Sequence, residues 1–167
     1  AEKYLLSECR FSRAHPVEVE VYRSLDSGCP EVFLGIDIGS TSTKAILIDS
    51  LGEPLAGFYT RTSGAPMRAT QALLEALTDV AGRTGADPAF LGVGTTGAGR
   101  KFVGKIIGAD FVVDEITAHA RAATALNPQI DMIIEIGGQD SKFTTLSGGR
   151  VTFCHMNTVC AAGTGSF

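Results

Sequence analysis

Two apolar strands joined by a short polar turn dominate the stretch VFLGIDIGSTSTKAILID, residues 32–49. The turn, STST, is too short for a crossover connection, so the two strands must pair antiparallel. Asp37 lies inside the first strand, between two isoleucines, where a carboxylate is costly unless it meets a cation or hydrogen-bond donors. The stretch therefore predicts a β-hairpin with a charged site beside its turn.

The remaining apolar periodicity predicts an α/β lobe, a mixed sheet with helices on its faces. A third strand at 55–62 completes an antiparallel meander. After it we expect a helix at 66–82, a strand at 90–96, a helix at 99–108, a strand at 110–114, a helix at 115–126, a strand at 131–137 and a hairpin over 141–156. Residues 31–167 are predicted to form one lobe. Residues 1–30 are predicted to be a leader or linker with one alternating strand, in HPVEVEVY.

Composition excludes several classes of protein. Hydrophobic residues make up 44% and charged residues 19% of the chain, which is typical of a globular domain. A net charge of -4 argues against a nucleic acid partner, and no apolar run is long enough to span a membrane. Four cysteines are too few for a disulfide scaffold and favour reduced thiols in a cytoplasm. The chain opens on Ala1 and ends abruptly, so we expect a piece of a longer protein.

The first hairpin is suited to binding phosphate. Gly39, Ser40 and Thr41 would present backbone N–H groups and hydroxyls at the turn, and Lys44 would add a positive charge. Asp37 would face a hydrated magnesium ion. The alternative is a polar turn with a surface aspartate, and we favour the phosphate site because Asp37 lies within the strand.

The stretch MIIEIGGQDSK repeats this pattern of apolar strand, acidic residue, glycines and polar tip. Gly137 and Gly138 would allow close approach of a ligand to the backbone. Asp140 is a candidate for binding magnesium through water, and Gln139 for orienting an attacking water. Alone this could be an ordinary glycine turn, but the two hairpins together predict a two-part phosphate clamp.

Two other stretches give weaker signals. GVGTTGAGRKF matches neither a P-loop nor the dinucleotide fingerprint, so we expect a strand-to-helix turn that shapes a cleft or interface. In it, Arg100 is predicted to be a surface or inter-subunit contact rather than a phosphate ligand. Glu115 suits the first turn of a helix, and His119 is predicted to be a packed or exposed histidine rather than a metal ligand.

The last stretch, CHMNTVCAAGTGSF, contains Cys154, His155 and Cys160. Their spacing fits no common zinc site, and no second ligand pair follows. A cysteine at a helix N-terminus could be a catalytic thiolate or an iron–sulfur ligand. A cubane cluster needs four thiolates, so the second role would require cysteines from elsewhere.

Taken together, GIDIGSTSTK, GTTGAGR, DEITAHARAA, IIEIGGQDSK and MNTVCAAGTGSF resemble the ATP-dependent activators of 2-hydroxyacyl-CoA dehydratases and the ATPase subunits of benzoyl-CoA reductase. The resemblance covers residues 32–167. It implies the actin, hexokinase and heat-shock-chaperone ATPase fold, in which two ribonuclease-H-like lobes clasp ATP. It also implies ATP hydrolysis coupled to delivery of a low-potential electron to a CoA-ester dehydratase or reductase.

The same resemblance implies site residues and cofactors. The hairpin around Gly39 matches the family's phosphate-1 motif, and EIGGQD matches its phosphate-2 motif. Cys160 aligns with one of a pair of cysteines per subunit that hold a shared [4Fe-4S] cluster across a homodimer interface. The implied cofactors are therefore ATP, Mg²⁺ and the cluster. A cytoplasmic location is expected.

The sequence also departs from the short activators. Thr158 and Val159 replace a charged pair, and Glu135 stands where aspartate is frequent. These features and the leader resemble the long, multi-domain activases. We expect the second lobe, the adenosine motif and the second cysteine beyond Phe167, and weak or absent ATP binding by this chain alone.

Two other hypotheses stay open. They are a small-molecule kinase of the same fold, such as an N-acetylhexosamine kinase, and a non-enzymatic, actin-like nucleotide-binding module. Both leave Cys160 without a role.

Overall fold

The computed structural model describes residues 1–7, 15–25, 30–137 and 140–157, and the chain forms two compact units, Ala1–Val113 and Asp114–Phe167. The elements of the first unit are β1 (Glu2–Leu6), β2 (Val17–Val21), β3 (Glu31–Ile38), β4 (Ser42–Asp49), β5 (Pro54–Arg61), α1 (Pro66–Thr84), β6 (Ala89–Thr96), α2 (Arg100–Ile107) and β7 (Phe111–Val112). Those of the second are α3 (Glu115–Leu126), β8 (Met132–Ile136), β9 (Ser141–Ser147) and β10 (Arg150–Asn157). The order of elements predicted from residue 31 onward is confirmed.

In the described part of the first unit, the strands form a seven-stranded mixed sheet in the order β1-β2-β5-β4-β3-β6-β7. The meander β3-β4-β5 is antiparallel, whereas β6 pairs parallel with β3, and β7 pairs parallel with β6. Because parallel neighbours need a crossover, α1 and α2 connect these strands. The helix α1 packs on β2, β4 and β5, and α2 packs on β3, β6 and β7.

Strict alternation in β3 divides its side chains between the two faces of the sheet. Every second residue is buried in the core, and Asp37 falls on the other face. The helix α1 completes this core with a stripe of small and branched side chains; its buried residues are Ala69, Thr70, Ala72, Leu73, Ala76, Leu77, Val80 and Ala81. The helix begins at a proline and ends where Gly85 adopts a left-handed φ of 68°. Asp37 thus lies at the end of a strand that is rigidly packed on its opposite face.

Residues 1–30, which we predicted to be a leader or linker, contribute two strands to this sheet. The predicted strand in HPVEVEVY is present as β2, which pairs antiparallel with β5, and β1 pairs with β2. Val17 and Val19 are buried in the core. Tyr4 in β1 also donates a hydrogen bond to Asp79 of α1, at 3.1 Å. The described parts of this segment therefore belong to the fold of the first unit.

The second unit is an antiparallel sheet in the order β10-β9-β8, with α3 packed on β10. Asp114 caps α3, because its Oδ1 accepts a hydrogen bond from the Thr117 N–H at 2.9 Å. The SGG turn joins β9 to β10 as predicted, with left-handed glycines at 148 and 149. The unit boundary at Val113 divides the segment 31–167 that the sequence analysis treated as one lobe. None of the described helices is both long and apolar enough to cross a membrane.

Candidate functional site

The turn between β3 and β4 is closed through Gly39. Its N–H donates to the Ser42 carbonyl at 3.0 Å, and a Cβ at this position would lie 2.8 Å from that oxygen. Thr62, directly after β5, donates from its hydroxyl to the Gly39 carbonyl at 2.7 Å. Ser40 and Thr41 are exposed at the tip. The predicted turn is therefore fixed by hydrogen bonds at Gly39, while Ser40 and Thr41 at its tip face solvent.

The ammonium group of Lys44 lies beside Asp37 and forms a long ion pair with it. The Asp37 Oδ2 lies 3.5 Å from the Lys44 Nζ, and the two side chains are 27% and 53% exposed. A solvated pair at this distance contributes roughly 0–1 kcal/mol, so it does not commit the carboxylate to one partner. Asp37, the turn and Lys44 are brought together in one hairpin, as predicted.

The glycine loop after β6 packs directly against the end of β3. At Gly97, φ is 84°, and a Cβ there would lie 2.5 Å from the Asp37 Oδ1 and 2.6 Å from the Ile38 carbonyl oxygen. The Gly99 N–H donates to that carbonyl at 2.9 Å. GTTGAGR is thus a strand-to-helix turn, as expected, and it lies beside Asp37. The Arg100 guanidinium donates to the Gly97 carbonyl at 2.9 Å, within its own turn.

A buried polar atom beside Asp37 fits a polar ligand. Thr96 is the register partner of Asp37 on β6, and its Oγ1 is buried without a hydrogen-bond partner among the described residues. Buried hydroxyls are normally satisfied, so an orphan next to a half-buried carboxylate suits an ordered water or a hydrated cation. Sequence reasoning missed Thr96. Its position at the end of the strand, directly before the glycine loop, was the available signal.

In the second unit, the turn between β8 and β9 is also closed through a glycine. The Gly137 N–H donates to the Asp140 carbonyl at 2.8 Å, and a Cβ at Gly137 would lie 3.2 Å from the Asp140 Oδ1. Gly138, Gln139 and Cys160 lie outside the described residues. The two turns belong to different units, so the two-part clamp stays a prediction.

Next to Asp140, a charged cluster joins three elements; we call it the Lys142 cluster, and it comprises Glu115, His119, Glu135, Asp140 and Lys142. The Lys142 Nζ lies 3.3 Å from Glu115, 3.0 Å from Glu135 and 3.2 Å from Asp140. The Lys142 side chain is only 2% exposed. His119 contacts the other Glu135 oxygen through Nδ1 at 2.6 Å.

Burial and hydrogen bonding move the pKa values in the Lys142 cluster. Burial raises the pKa of Glu115 above its usual range, although the Lys142 charge opposes the shift. Burial alone would raise the pKa of Glu135 and lower that of Lys142. Hydrogen bonds from Lys142 and His119 outweigh burial at Glu135, so the pKa of Glu135 is lowered. Hydrogen bonds to Glu135 and Asp140 outweigh burial at Lys142, so the pKa of Lys142 is raised. Lys142 therefore stays protonated at neutral pH.

Sequence reasoning gave Glu115 and His119 separate, ordinary roles and did not consider Lys142. Ligand atoms of Glu115, His119 and Glu135 lie within 4.8 Å of one another, as in a metal site. However, the Lys142 ammonium contacts both glutamates and supplies the positive charge itself. The available signals were the spacing of Glu115 and His119 by one helical turn and the alternation that buries Lys142 with Thr144 and Leu146.

The closing cysteine stretch is described only as far as Asn157. Cys154 lies on β10 as a free thiol, and its Sγ accepts a hydrogen bond from the Thr144 hydroxyl at 3.5 Å. Neighbouring residues of a strand point to opposite faces, so Cys154 and His155 do not converge on one ligand position. Thr158, Val159 and Cys160 lie outside the described residues.

Comparison with known proteins gives several relatives. The chain is 38% identical over 138 residues to the (R)-2-hydroxyglutaryl-CoA dehydratase activating ATPase of Acidaminococcus fermentans, over 80% of this chain and 50% of that protein. It is 38% identical over 136 residues to the 2-hydroxyisocaproyl-CoA dehydratase activator of Clostridioides difficile, over 80% of this chain and 48% of that protein. The chain therefore spans about half the length of these curated relatives.

A solved structure gives the same result for the fold. The activator of the 2-hydroxyisocaproyl-CoA dehydratase from Clostridium difficile, with bound ADPNP, superposes with a TM-score of 0.67 at 34% identity, over 81% of this chain and 48% of that chain. The expected α/β fold, a ribonuclease-H-like lobe of the actin and hexokinase ATPase type, is confirmed. The model of the BadF/BadG/BcrA/BcrD ATPase family matches residues 34–167, and the chain belongs to that family.

Proposed function

We propose that the full-length protein is an ATPase that couples ATP hydrolysis to low-potential electron transfer, from a [4Fe-4S] cluster to a CoA-ester dehydratase or reductase. The observation that carries this proposal is the pair of glycine-closed turns with adjacent carboxylates, in a chain 38% identical to activators of such dehydratases. The ADPNP bound to a solved relative supports nucleotide binding by a protein of this fold.

In this proposal the turn amides at Gly39, Ser40 and Thr41 bind phosphate oxygens, with Lys44 adding charge. Gly137 and Gly138 do the same from the second turn. Small residues at these positions let a phosphate approach the backbone closely, and N–H groups at such turns form anion-binding concavities. These residues bind and orient the nucleotide.

Asp37 and Asp140 would hold Mg²⁺ through water, and Gln139 would orient the attacking water. The metal, when bound, neutralises charge that develops on the phosphates. The weakly paired Asp37 carboxylate and the orphan Thr96 hydroxyl fit a hydrated cation. Phosphoryl transfer by positioning and electrostatics requires little else from the protein.

Cys160 would be one ligand of a [4Fe-4S] cluster shared across a homodimer. The support for this step is the family to which the chain belongs and the MNTVCAAGTGSF stretch. Thiolate ligation and a content of only four cysteines suit a reducing cytoplasm, where we place the protein. The acidic net charge of -4 supports a partner other than nucleic acid.

The ATPase half of the proposal is tested in the full-length protein with Asp37→Asn and Asp140→Asn. Each is expected to lower kcat for ATP hydrolysis by about 10²-fold, the scale for losing one preorganised electrostatic group. Asp87→Asn, at an exposed aspartate, should leave kcat unchanged. Wild-type rates in both site variants would refute the assignment.

The cluster half is tested separately by anaerobic reconstitution with iron and sulfide. Wild type and Cys154→Ser should gain visible iron–sulfur absorbance, and Cys160→Ser should not. A colourless wild type would refute the cluster and leave the ATPase assignment standing. Retained colour in Cys160→Ser would refute this ligand alone.

A further inference from the structure

The Lys142 ammonium is the best-buried charge of the second unit among the described residues. Its side chain is 2% exposed, and its Nζ contacts three carboxylates at 3.0 to 3.3 Å. An ammonium is rarely buried unless it is paired, and here it has a partner for each of its three protons. Such an arrangement fixes the position of the nitrogen.

Two of the three carboxylates anchor Lys142 from outside the turn. Glu135 is its register partner on β8, and Glu115 reaches it from the first turn of α3. His119, one helical turn further along α3, contacts the second oxygen of Glu135 at 2.6 Å. Strand β10 places Met156 opposite Lys142. The ammonium is therefore held by β8 and α3 independently of Asp140.

The third carboxylate belongs to the turn itself. Asp140 lies directly before β9 and two residues before Lys142. Lys142 holds the Asp140 Oδ1 at 3.2 Å, while the Gly137 N–H holds the Asp140 main chain at 2.8 Å. The side chain and the main chain of Asp140 are thus each fixed by a separate contact.

We propose that Lys142 is a positioning residue for ATP hydrolysis, which orients the Asp140 carboxylate at the phosphate-2 turn through an ammonium anchored on Glu135 and Glu115. This inference rests on the proposed ATPase function. It assigns a role to a residue whose ammonium contacts three carboxylates and which would act through Asp140. Displacement of an orienting group by about 1 Å is enough to slow a reaction by about 10²-fold.

The test compares Lys142→Met and Lys142→Gln in the full-length protein, with Lys105→Met on the exposed face of α2 as the matched control. We expect Lys142→Met to lower kcat for ATP hydrolysis by about 10- to 100-fold. Lys142→Gln, whose amide can still donate to Asp140, should lose less. The dissociation constant of ADPNP, measured by calorimetry, should change by less than about threefold, because positioning acts on kcat rather than on binding.

A second readout does not depend on activity. In a crystal structure of Lys142→Met with ADPNP, the Asp140 carboxylate should leave its wild-type orientation, whereas in Lys105→Met it should keep it. An unmoved carboxylate, or wild-type kcat in folded Lys142→Met, would overturn the inference and leave the ATPase assignment intact.

A parallel loss of melting temperature, ADPNP affinity and kcat in both Lys142 variants would show a structural role only and also overturn it. If Lys142→Met does not fold, Lys142→Gln decides between these outcomes. Absence of ATP hydrolysis by the wild type would instead refute the proposed function.

Discussion

Gly97 and Gly52 have nearly the same backbone conformation, with φ angles of 84° and 86°, but very different surroundings. A Cβ at Gly97 would lie 2.5 Å from the Asp37 Oδ1, whereas a Cβ at Gly52 would meet nothing within 4 Å. Alanine would be strained at both positions because of the left-handed φ. Only at position 97 would its Cβ also collide with a site residue, Asp37. The pair separates backbone strain from steric conflict at the site.

We therefore expect Gly97→Ala to lower the free energy of unfolding by about 3 kcal/mol and Gly52→Ala by about 1 kcal/mol. Urea denaturation followed by circular dichroism measures both. Equal losses would mean that the loop after β6 does not pack tightly on Asp37.

Tyr4 predicts a pH dependence of stability. Burial, followed by its hydrogen bond to Asp79, raises the pKa of Tyr4 from 10.0 to about 12. Below pH 10 the folded and unfolded states both keep the proton. Between these two pKa values the unfolded state releases a proton that the folded state retains, so stability is lost as the pH rises.

The free energy of unfolding of the wild type should therefore fall more steeply above pH 10 than that of Tyr4→Phe. Tyrosinate absorbance checks the assignment directly, since the wild type minus Tyr4→Phe difference should titrate near pH 12. A difference curve centred near pH 10 would contradict it.

At the scale of elements, strand β2 shows where sequence patterns stop being sufficient. The alternation in VEVEV predicts a strand, but its partner β5 lies about forty residues along the chain, as in the pair Val19 and Phe58. Elements from residue 31 onward were predictable because each connects to a neighbour through a short turn or a crossover. The Lys142 cluster was missed for a different reason: its members come from α3, β8, β9 and the residue before β9, and the pattern within one element does not predict side-chain contacts between elements.

The contribution of β2 to stability is testable with adjacent residues. Val17 is fully buried and Glu18 is exposed on the other face of the strand. We expect Val17→Ala to lower the free energy of unfolding by about 2 kcal/mol, and Glu18→Ala by no more than about 0.5 kcal/mol. Thermal and urea unfolding measure both. A negligible effect of Val17→Ala would return residues 1–30 to the role of a linker.

At the scale of the whole molecule, the first unit contains a complete core. The buried cluster extends over residues between Val17 and Val103, all within Ala1–Val113. We expect a fragment of residues 1–113 to unfold in one cooperative transition, as most single domains of this size do. Calorimetry checks this, and a broad, non-cooperative transition would contradict it.

The pairing of β2 with β5 also has a consequence for self-association. The family model matches from residue 34, so a fragment cut at that boundary would lose both β1 and β2. The backbone N–H and C=O groups along one side of β5 would then be unpaired, and an uncovered strand of eight residues is a template for edge-to-edge aggregation. In this chain β2 pairs with that side of β5, and among the described residues the edge of the sheet is instead β1, a strand of only five residues, which is a weaker template for pairing between molecules.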